Sequence, residues 1–495
     1  MNKIKRREFL RALGAGAASF AFLGCAESVI HAAINSSERR KPNILLIYAD
    51  DLGWNDLGCF GNTYHETPNI DQLCKEGIMF TDAYACGPVC APSRACLMSG
   101  QYVPRHGIYL VGKPDNSHPE AQNLLPPENV KELPLEITTL ADEMRAAGYT
   151  TGYCGKWHLG HKGEKISEYH PSKRGFDWAN QTRSPRGKTR YFSPDFWTIP
   201  KAPIKEGTYL TDYITQQALG FIERSKDKPF FLYLPHFAVH GPLEAKEKTI
   251  EKYRKKEKTE KHDNPIYAAM HEHLDDNVGL LLKKLDDLKL SDNTIVIFYS
   301  DNGGHEKFSN APLRAGKGWL YEGGIRVPLI VRWPGKVKPG TVCKEPVIGV
   351  DFLPTLLDIA GSKGVGKQVR DGESFLPLLL DSKGKLNRDA IFWHYPTYMK
   401  WNKKKKKYMV TPCSAIRMGD YKLLHFYEDD HVELYNLKKD IGEKNNLATK
   451  MPEKAKFMDD KLAKWVKDTK AMMPTKRKKN SAKKNEKTNI KRKQM

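Results

Sequence analysis

Three short segments carry side chains able to do chemistry. Cys90-Ala91-Pro92-Ser93-Arg94 sets a thiol four residues ahead of a guanidinium. Pro92 near its start and Gly100 at its far end are the punctuation of a helix start and stop. Cys90 therefore falls at a helix N-terminus, where the dipole and free N–H groups attract anions and lower a thiol pKa. Arg94 adds a fixed positive charge on the same side. The residues alone leave two readings open: a reactive cysteine beside an anion site, or a buried or disulfide-bonded cysteine near Cys86 and Cys96. The other two segments are Asp50-Asp51 and Asp301-Asn302. Three carboxylates and an amide oxygen meeting at one place suit a hard divalent cation, calcium or magnesium. Each pair by itself also fits a turn or a helix cap.

What must bring them together is a parallel sheet. Asn43-Ile44-Leu45-Leu46-Ile47-Tyr48-Ala49 is a continuous apolar run ending at Asp50, and Thr294-Ile295-Val296-Ile297-Phe298-Tyr299 is another ending just before Asp301. Runs of this kind are strands buried on both faces. Phe230-Phe231-Leu232-Tyr233-Leu234 is a third. Ahead of the Thr294 strand, Met270, Leu274, Val278, Leu281, Leu285 and Leu288 step by helical spacing and form one apolar face. Strands alternating with such helices predict an α/β domain, a large and mostly parallel sheet flanked by helices. In open sheets of this kind ligands gather outside the carboxyl ends of the strands, where both acidic pairs would stand.

The last third changes character. A helix is expected at Asp351-Phe352-Leu353-Pro354-Thr355-Leu356-Leu357, then a Gly/Lys-rich loop over 361–371. Short strand-like runs follow at 390–393, 415–417, 422–425 and 433–435, predicting a smaller C-terminal antiparallel sheet and then a helix within 451–468. Lys403 to Lys407 reads as an exposed hairpin tip. The expected layout is an export signal at 1–33, a catalytic α/β domain at 42–385, a C-terminal α+β subdomain at 386–470 and a disordered basic tail at 471–495.

Charge and cysteines narrow the partners. Of the formal +22, +9 belongs to 471–495 and +5 to 1–41, so the body at 42–470 carries +8. A nucleic-acid partner is not expected, because the excess sits in the two ends; the body suits an anionic substrate. Lys5-Arg6-Arg7-Glu8-Phe9-Leu10-Arg11 resembles a twin-arginine signal and precedes an apolar stretch from Leu13 to Phe22. That stretch is short for a membrane span. Phe22-Leu23-Gly24-Cys25 is an imperfect lipobox that would make Cys25 a lipid anchor, whereas His31-Ala32-Ala33 suits ordinary signal removal. An exported form, periplasmic or secreted, is expected. With Cys25 and Cys90 set aside, seven of the nine cysteines remain, an odd number that argues against a complete disulfide framework. No CxxC pair or zinc-ligand spacing occurs, so structural zinc is not expected.

Cys90-Ala91-Pro92-Ser93-Arg94 followed by Leu97-Met98-Ser99-Gly100 resembles the signature of the formylglycine-dependent sulfatases, within the alkaline-phosphatase-like superfamily. Further blocks stand in the family's order: Asp50-Asp51-Leu52-Gly53, Gly155-Lys156-Trp157-His158-Leu159-Gly160, Ser300-Asp301-Asn302-Gly303, Gly316-Lys317-Gly318 with Tyr321 to Pro328, and Glu433 to Leu437. The resemblance covers about 42–450 and implies that Cys90 is oxidised to formylglycine (3-oxoalanine) by a maturation enzyme. It implies a metal site of Asp50, Asp51, Asp301, Asn302 and modified Cys90, usually filled by calcium and less readily by magnesium. Arg94 and Lys156 would hold the hydrated aldehyde. His158 would take a proton as the sulfated intermediate breaks down. His240 would serve the leaving group, with His236 a weaker candidate, and Lys317 would contact the sulfate. His305 is expected to be a surface loop residue. The implied substrate is a sulfated carbohydrate or an aryl sulfate. A phosphoester hydrolase of the same superfamily and a silent binder of sulfated glycans are the competing readings.

Overall fold

The computed structural model describes residues 41–160, 165–183, 190–260, 262–308 and 310–477. The expected export signal, the Cys25 lipobox and the tail from 478 onward lie outside the described residues. Lys41 and Pro42 belong to a separate N-terminal unit; everything described from Asn43 onward forms one unit.

Its centre is a nine-stranded sheet. In chain order the strands are β1 (Asn43–Ala49), β2 (Ile78–Phe80), β3 (Thr150–Gly155), β4 (Trp178–Arg183), β5 (Trp197–Ile199), β6 (Phe230–Pro235), β7 (Thr294–Ser300), β8 (Leu329–Arg332) and β9 (Thr341–Cys343). Their spatial order is β9-β2-β8-β7-β1-β6-β3-β4-β5. The inner five, β7-β1-β6-β3-β4, are mutually parallel, and antiparallel β8 and β5 flank them. The sheet is thus mixed with a parallel centre, as the apolar runs predict.

β1 shows why the runs are continuous. Ile44, Leu46 and Tyr48 enter one core, and Leu45, Ile47 and Ala49 enter the other. On the first face pack helices α2 (Cys90–Ser99), α3 (Leu140–Ala146) and α6 (Phe352–Ala360); on the second pack α1 (Pro68–Glu76), α4 (Leu210–Ser225) and α5 (Pro265–Asp287). The α5 stripe sits as its spacing predicts. Met270, Leu274, Val278, Leu281 and Leu285 are fully buried, and Leu288, just past the helix end, is half-buried. Each fully buried Leu or Val contributes roughly 1.5–3 kcal/mol, so a charge at Val278 would forfeit at least a contribution of that size.

The smaller sheet is antiparallel, in the order β10-β13-β14-β15: β10 (Ile391–Tyr395), β13 (Cys413–Met418), β14 (Tyr421–Phe426) and β15 (His431–Asn436). Between its first two strands rises a hairpin, β11 (Met399–Asn402) with β12 (Lys407–Val410), and Lys403 to Lys407 are exposed at its end. α7 (Pro452–Asp468) covers one face through Ala455, Met458 and Leu462. The other face, with Trp393, Ala415 and Leu424, packs onto Tyr84, Cys96 and Ile325 of the large domain.

The tail corrects one expectation. Residues 471–477 are not loose: Thr475 and Lys476 pair with Leu125 and Leu124, and the Tyr109 hydroxyl accepts from the Met472 amide. A two-residue pairing across some 350 positions has no periodicity for a sequence to show. The eight described cysteines are all free. No described helix is long and apolar enough to cross a membrane.

Candidate active site

β1 and β7 run parallel and in register, with Ala49 opposite Ser300. The residues that follow each strand, Asp50-Asp51 and Asp301-Asn302, therefore arrive side by side at the carboxyl edge. Backbone and side chain then lock them: the Asp51 amide donates to Asp301 Oδ1 at 3.2 Å, and Asn302 Nδ2 donates to Asp51 at 2.8 Å. Asp51 itself sits at φ 61, a left-handed conformation that aspartate tolerates better than most residues. β3 ends on the same edge. Gly155 has φ +129, and a Cβ there would stand 1.9 Å from the Pro235 carbonyl oxygen. Only glycine lets Lys156 follow so tightly against β6. His240 comes from the loop after β6, where the Asp50 amide donates to Ala238 and the Val239 amide to Asp50.

α2 supplies the thiol. Cys90 is its first residue, and the turn before it is closed by Ser93, whose Oγ accepts from the Gly87 amide at 3.1 Å and donates to the Gly87 carbonyl. Cys90, Asp50 and Asp301 each bring a ligand atom within 4.8 Å of the others. Arg94, fully buried one turn on, donates to Asp301 Oδ2 through Nε at 2.9 Å and Nη2 at 2.6 Å, and to the Lys156 carbonyl. Lys156 pairs with Asp50, and Lys317 lies 2.7 Å from the Asp51 carboxylate. The Gly318 amide donates to the Pro88 carbonyl, which ties the Lys317 loop to the Cys90 turn.

Electrostatics follow from this crowding. Burial raises Asp50 and Asp51, but Lys156, Lys317 and His240 outweigh it and hold both below the usual carboxylate range. Burial and the Asp50 charge push Asp301 up to about 7 despite Arg94. Burial lowers Lys317, yet Asp51 and its neighbours carry it well above an ordinary lysine. Burial, then Lys156 and Arg94, keep His158 well below the usual histidine range, and burial also lowers His240. The thiol departs from expectation: burial raises Cys90 although Lys156 and Lys317 oppose it. Helix position argues for a thiolate; desolvation of the charged form wins.

All the residues that the sequence singles out for the site meet here except two. His236 is fully buried behind the edge, faces Asp212 and is pushed by burial to about 3. His305 is half-exposed at the rim, where Asp51, Lys317 and Lys400 all act on it. Lys400 was not singled out. It stands at the base of the lysine hairpin, 3.9 Å from the Trp319 ring centroid and paired with Glu306. The lysine run marks the hairpin, but only folding shows that its base, not its tip, reaches the site. Tyr191 is a second silent contributor, its hydroxyl donating to the His240 and Phe237 carbonyls.

Two buried cations, Arg94 and Lys156, and the half-buried Lys317 thus face three buried carboxylates at a strand edge, with the Cys90 thiol among them. The sulfatase family model matches residues 42–362, and the model for the C-terminal region of N-sulphoglucosamine sulphohydrolase matches 315–471. A sulfatase of Formosa agariphila is 34% identical over 499 residues, spanning 86% of this chain and 89% of that one. Human N-acetylgalactosamine-6-sulfatase is 35% identical, spanning 72% of this chain and 69% of its own length. The solved structure of Ps i-CgsB in complex with k-i-k-neocarrahexaose superimposes with a TM-score of 0.73 at 32% identity, over 87% of this chain and 94% of that one. The chain belongs to the sulfatase family and is a sulfuric ester hydrolase.

Proposed function

We propose that the protein hydrolyses sulfate esters of carbohydrates at the Asp50–Cys90–Asp301 edge, using formylglycine made from Cys90 and a divalent cation, calcium. One observation carries the reading. Asp50 Oδ1 and Asn302 Oδ1 are buried and accept no hydrogen bond, although each faces a crowd of polar groups. Buried oxygens left open in this way, beside carboxylates pressed together, fit a hard oxygen-seeking cation better than a structural ion pair. Asp50, Asp51, Asp301, Asn302 and modified Cys90 would hold it. The hydrated Cys90 aldehyde would supply the attacking oxygen, and the cation positive charge toward the sulfate.

The remaining side chains have separate tasks. Arg94, fixed on Asp301, and Lys156, on Asp50, would hold the oxygens of the hydrated aldehyde made from Cys90. Lys317 places a permanent charge where the sulfate and the departing oxygen meet. His240 Nδ1 is 2.5 Å from the Gly241 carbonyl oxygen and so carries its hydrogen there. To serve the leaving oxygen as an acid, His240 would first have to take up a second proton at Nε2, the nitrogen 3.7 Å from Asp51, and then give that proton up. His158, kept neutral, with a buried Nδ1 that has no hydrogen-bond partner, is set to accept a proton from the Cys90 side.

For substrate, the relatives named for a sulfated amino sugar and solved with a carrageenan oligosaccharide support a sulfated carbohydrate. The basic body and the expected export fit an extracellular polyanion. Sulfate release from an aryl sulfate and from carrageenan oligosaccharides, set against phosphate release from an aryl phosphate, tests the reading. Turnover of the sulfates that exceeds that of the phosphate and is lost in chelator supports it; a faster phosphate reaction rejects it.

A further inference from the structure

Behind the loop carrying Asp50 and Asp51 lies a second buried group of titratable side chains, which sulfate hydrolysis does not use. Asp56, His65 and His262 each bring one ligand atom within 4.8 Å of the others, and none is more than 5% exposed. His271 stands against them. Its ring stacks on His65 with centroids 4.3 Å apart, and its Nε2 lies 3.4 Å from Asp56 Oδ2.

Proton positions carry the argument. His65 Nδ1 is 3.0 Å from the Asp56 backbone carbonyl oxygen, which can only accept, so Nδ1 bears the hydrogen and Nε2 keeps its lone pair. His271 Nδ1 is likewise 2.8 Å from the Tyr267 carbonyl oxygen, and its buried Nε2 has no hydrogen-bond partner. A histidine that donates from one nitrogen to a carbonyl and leaves the other bare has the tautomer of a metal ligand. Asp56 Oδ2 already accepts from the Tyr267 hydroxyl at 2.8 Å and the Gly53 amide at 2.7 Å, while Oδ1 lies 3.9 Å from His65 Nδ1.

We propose that Asp56, His65 and His262, with His271 beside them, bind a transition-metal ion of the zinc class. A nitrogen-rich set with one carboxylate selects zinc or cobalt over calcium. This reverses the expectation drawn from spacing. The ligands come from the loop after β1, the segment before α5 and α5 itself, so no local pattern could announce them. The ion would brace the loop that carries Asp51, whose carbonyl accepts from the Tyr267 hydroxyl at 3.4 Å.

The test uses the full-length protein and two variants, Asp301→Asn and Cys90→Ala, that disable the other cluster. Each is dialysed against zinc in excess calcium, and zinc per chain is measured by elemental mass spectrometry. The expected result is about one zinc per chain kept by both variants, with affinity reduced at least about tenfold in His65→Gln and His262→Gln. Cobalt gives a reading that needs no ligand variant: both active-site variants should show visible d–d absorption from a nitrogen- and oxygen-ligated ion. No zinc and no cobalt spectrum in the wild type would overturn the proposal, as would undiminished zinc in a folded His262→Gln. Its failure would leave the Cys90 reading untouched.

Discussion

Two buried charge clusters lie at the sheet's carboxyl edge and at the seam with the small sheet, and they differ in how completely they are satisfied. At the seam, Lys422 donates to Glu322 and Glu443 at 2.9 Å each. Glu322 also accepts from Tyr84 and Arg326, Glu443 from the Glu322 amide, and Asp82 from Arg417. No side-chain atom of these residues is buried without a partner. At the edge, Asp50 Oδ1, Asn302 Oδ1 and His158 Nδ1 are left open. Both clusters shift pKa values strongly: Glu443 is raised to about 7 by burial and Asp301 by burial and Asp50. Perturbed titration therefore does not tell them apart. Open valence does: the seam residues named here are saturated, and three buried atoms at the edge are not.

The contrast is most sharply broken by substitutions that separate activity from stability. Cys90→Ala should reduce sulfate release by about 10⁴-fold or more, the scale of losing a covalent nucleophile. Its unfolding midpoint in urea should stay close to the wild type. A residual rate within about tenfold of wild type would remove Cys90 from the chemistry. At the seam the effect should invert. Lys422→Met strips the shared cation from two buried carboxylates, a loss of roughly 3–5 kcal/mol, while the folded fraction keeps its turnover number. Urea titration beside active-site counting measures both, and a stability change under about 1 kcal/mol would mean the network is not holding the layers.

Acid should probe the histidines behind each region. His236, behind the edge, is lowered to about 3, and His394, in the small sheet, to about 4, in each case chiefly by burial. Groups lowered on folding stabilise above the unfolded value near 6.5 and lose that contribution as pH falls toward the folded value. Each should cost up to about 1.4 kcal/mol per pH unit below 6.5. His236→Gln and His394→Gln should each flatten the slope of unfolding free energy between pH 6.5 and 5; an unchanged slope in both would contradict the assignment. The smallest effect belongs to the rim. Lys400→Ala should raise KM for a sulfated oligosaccharide by about three- to tenfold with kcat little changed, as for a contact made equally in ground and transition states.

The sequence was most legible where chemistry and strand ends coincide. Asp50-Asp51 and Asp301-Asn302 are legible because continuous apolar runs end just before them, and register does the rest. The apolar stripe of α5 and the short runs of the small sheet were readable for the same reason, a local period. What escaped depends on distant closure. Lys400 reaches the rim only because a hairpin folds over, Thr475 finds Leu125 across the whole chain, and His65, His262 and His271 meet through three unrelated segments. For Cys90 the sequence leaves a reactive and a buried cysteine both open, because a helix terminus is visible in sequence and the depth of burial is not; the structure has the thiol free and buried.

The central claim is that Cys90 is the precursor of the nucleophile rather than the nucleophile. Mass spectrometry of the Cys90 peptide from protein with measured sulfatase activity tests it most directly. The account predicts an aldehyde residue at position 90, trapped by a hydrazide reagent, in a proportion that tracks specific activity between preparations. A fully active preparation in which Cys90 remains an unmodified thiol would contradict it.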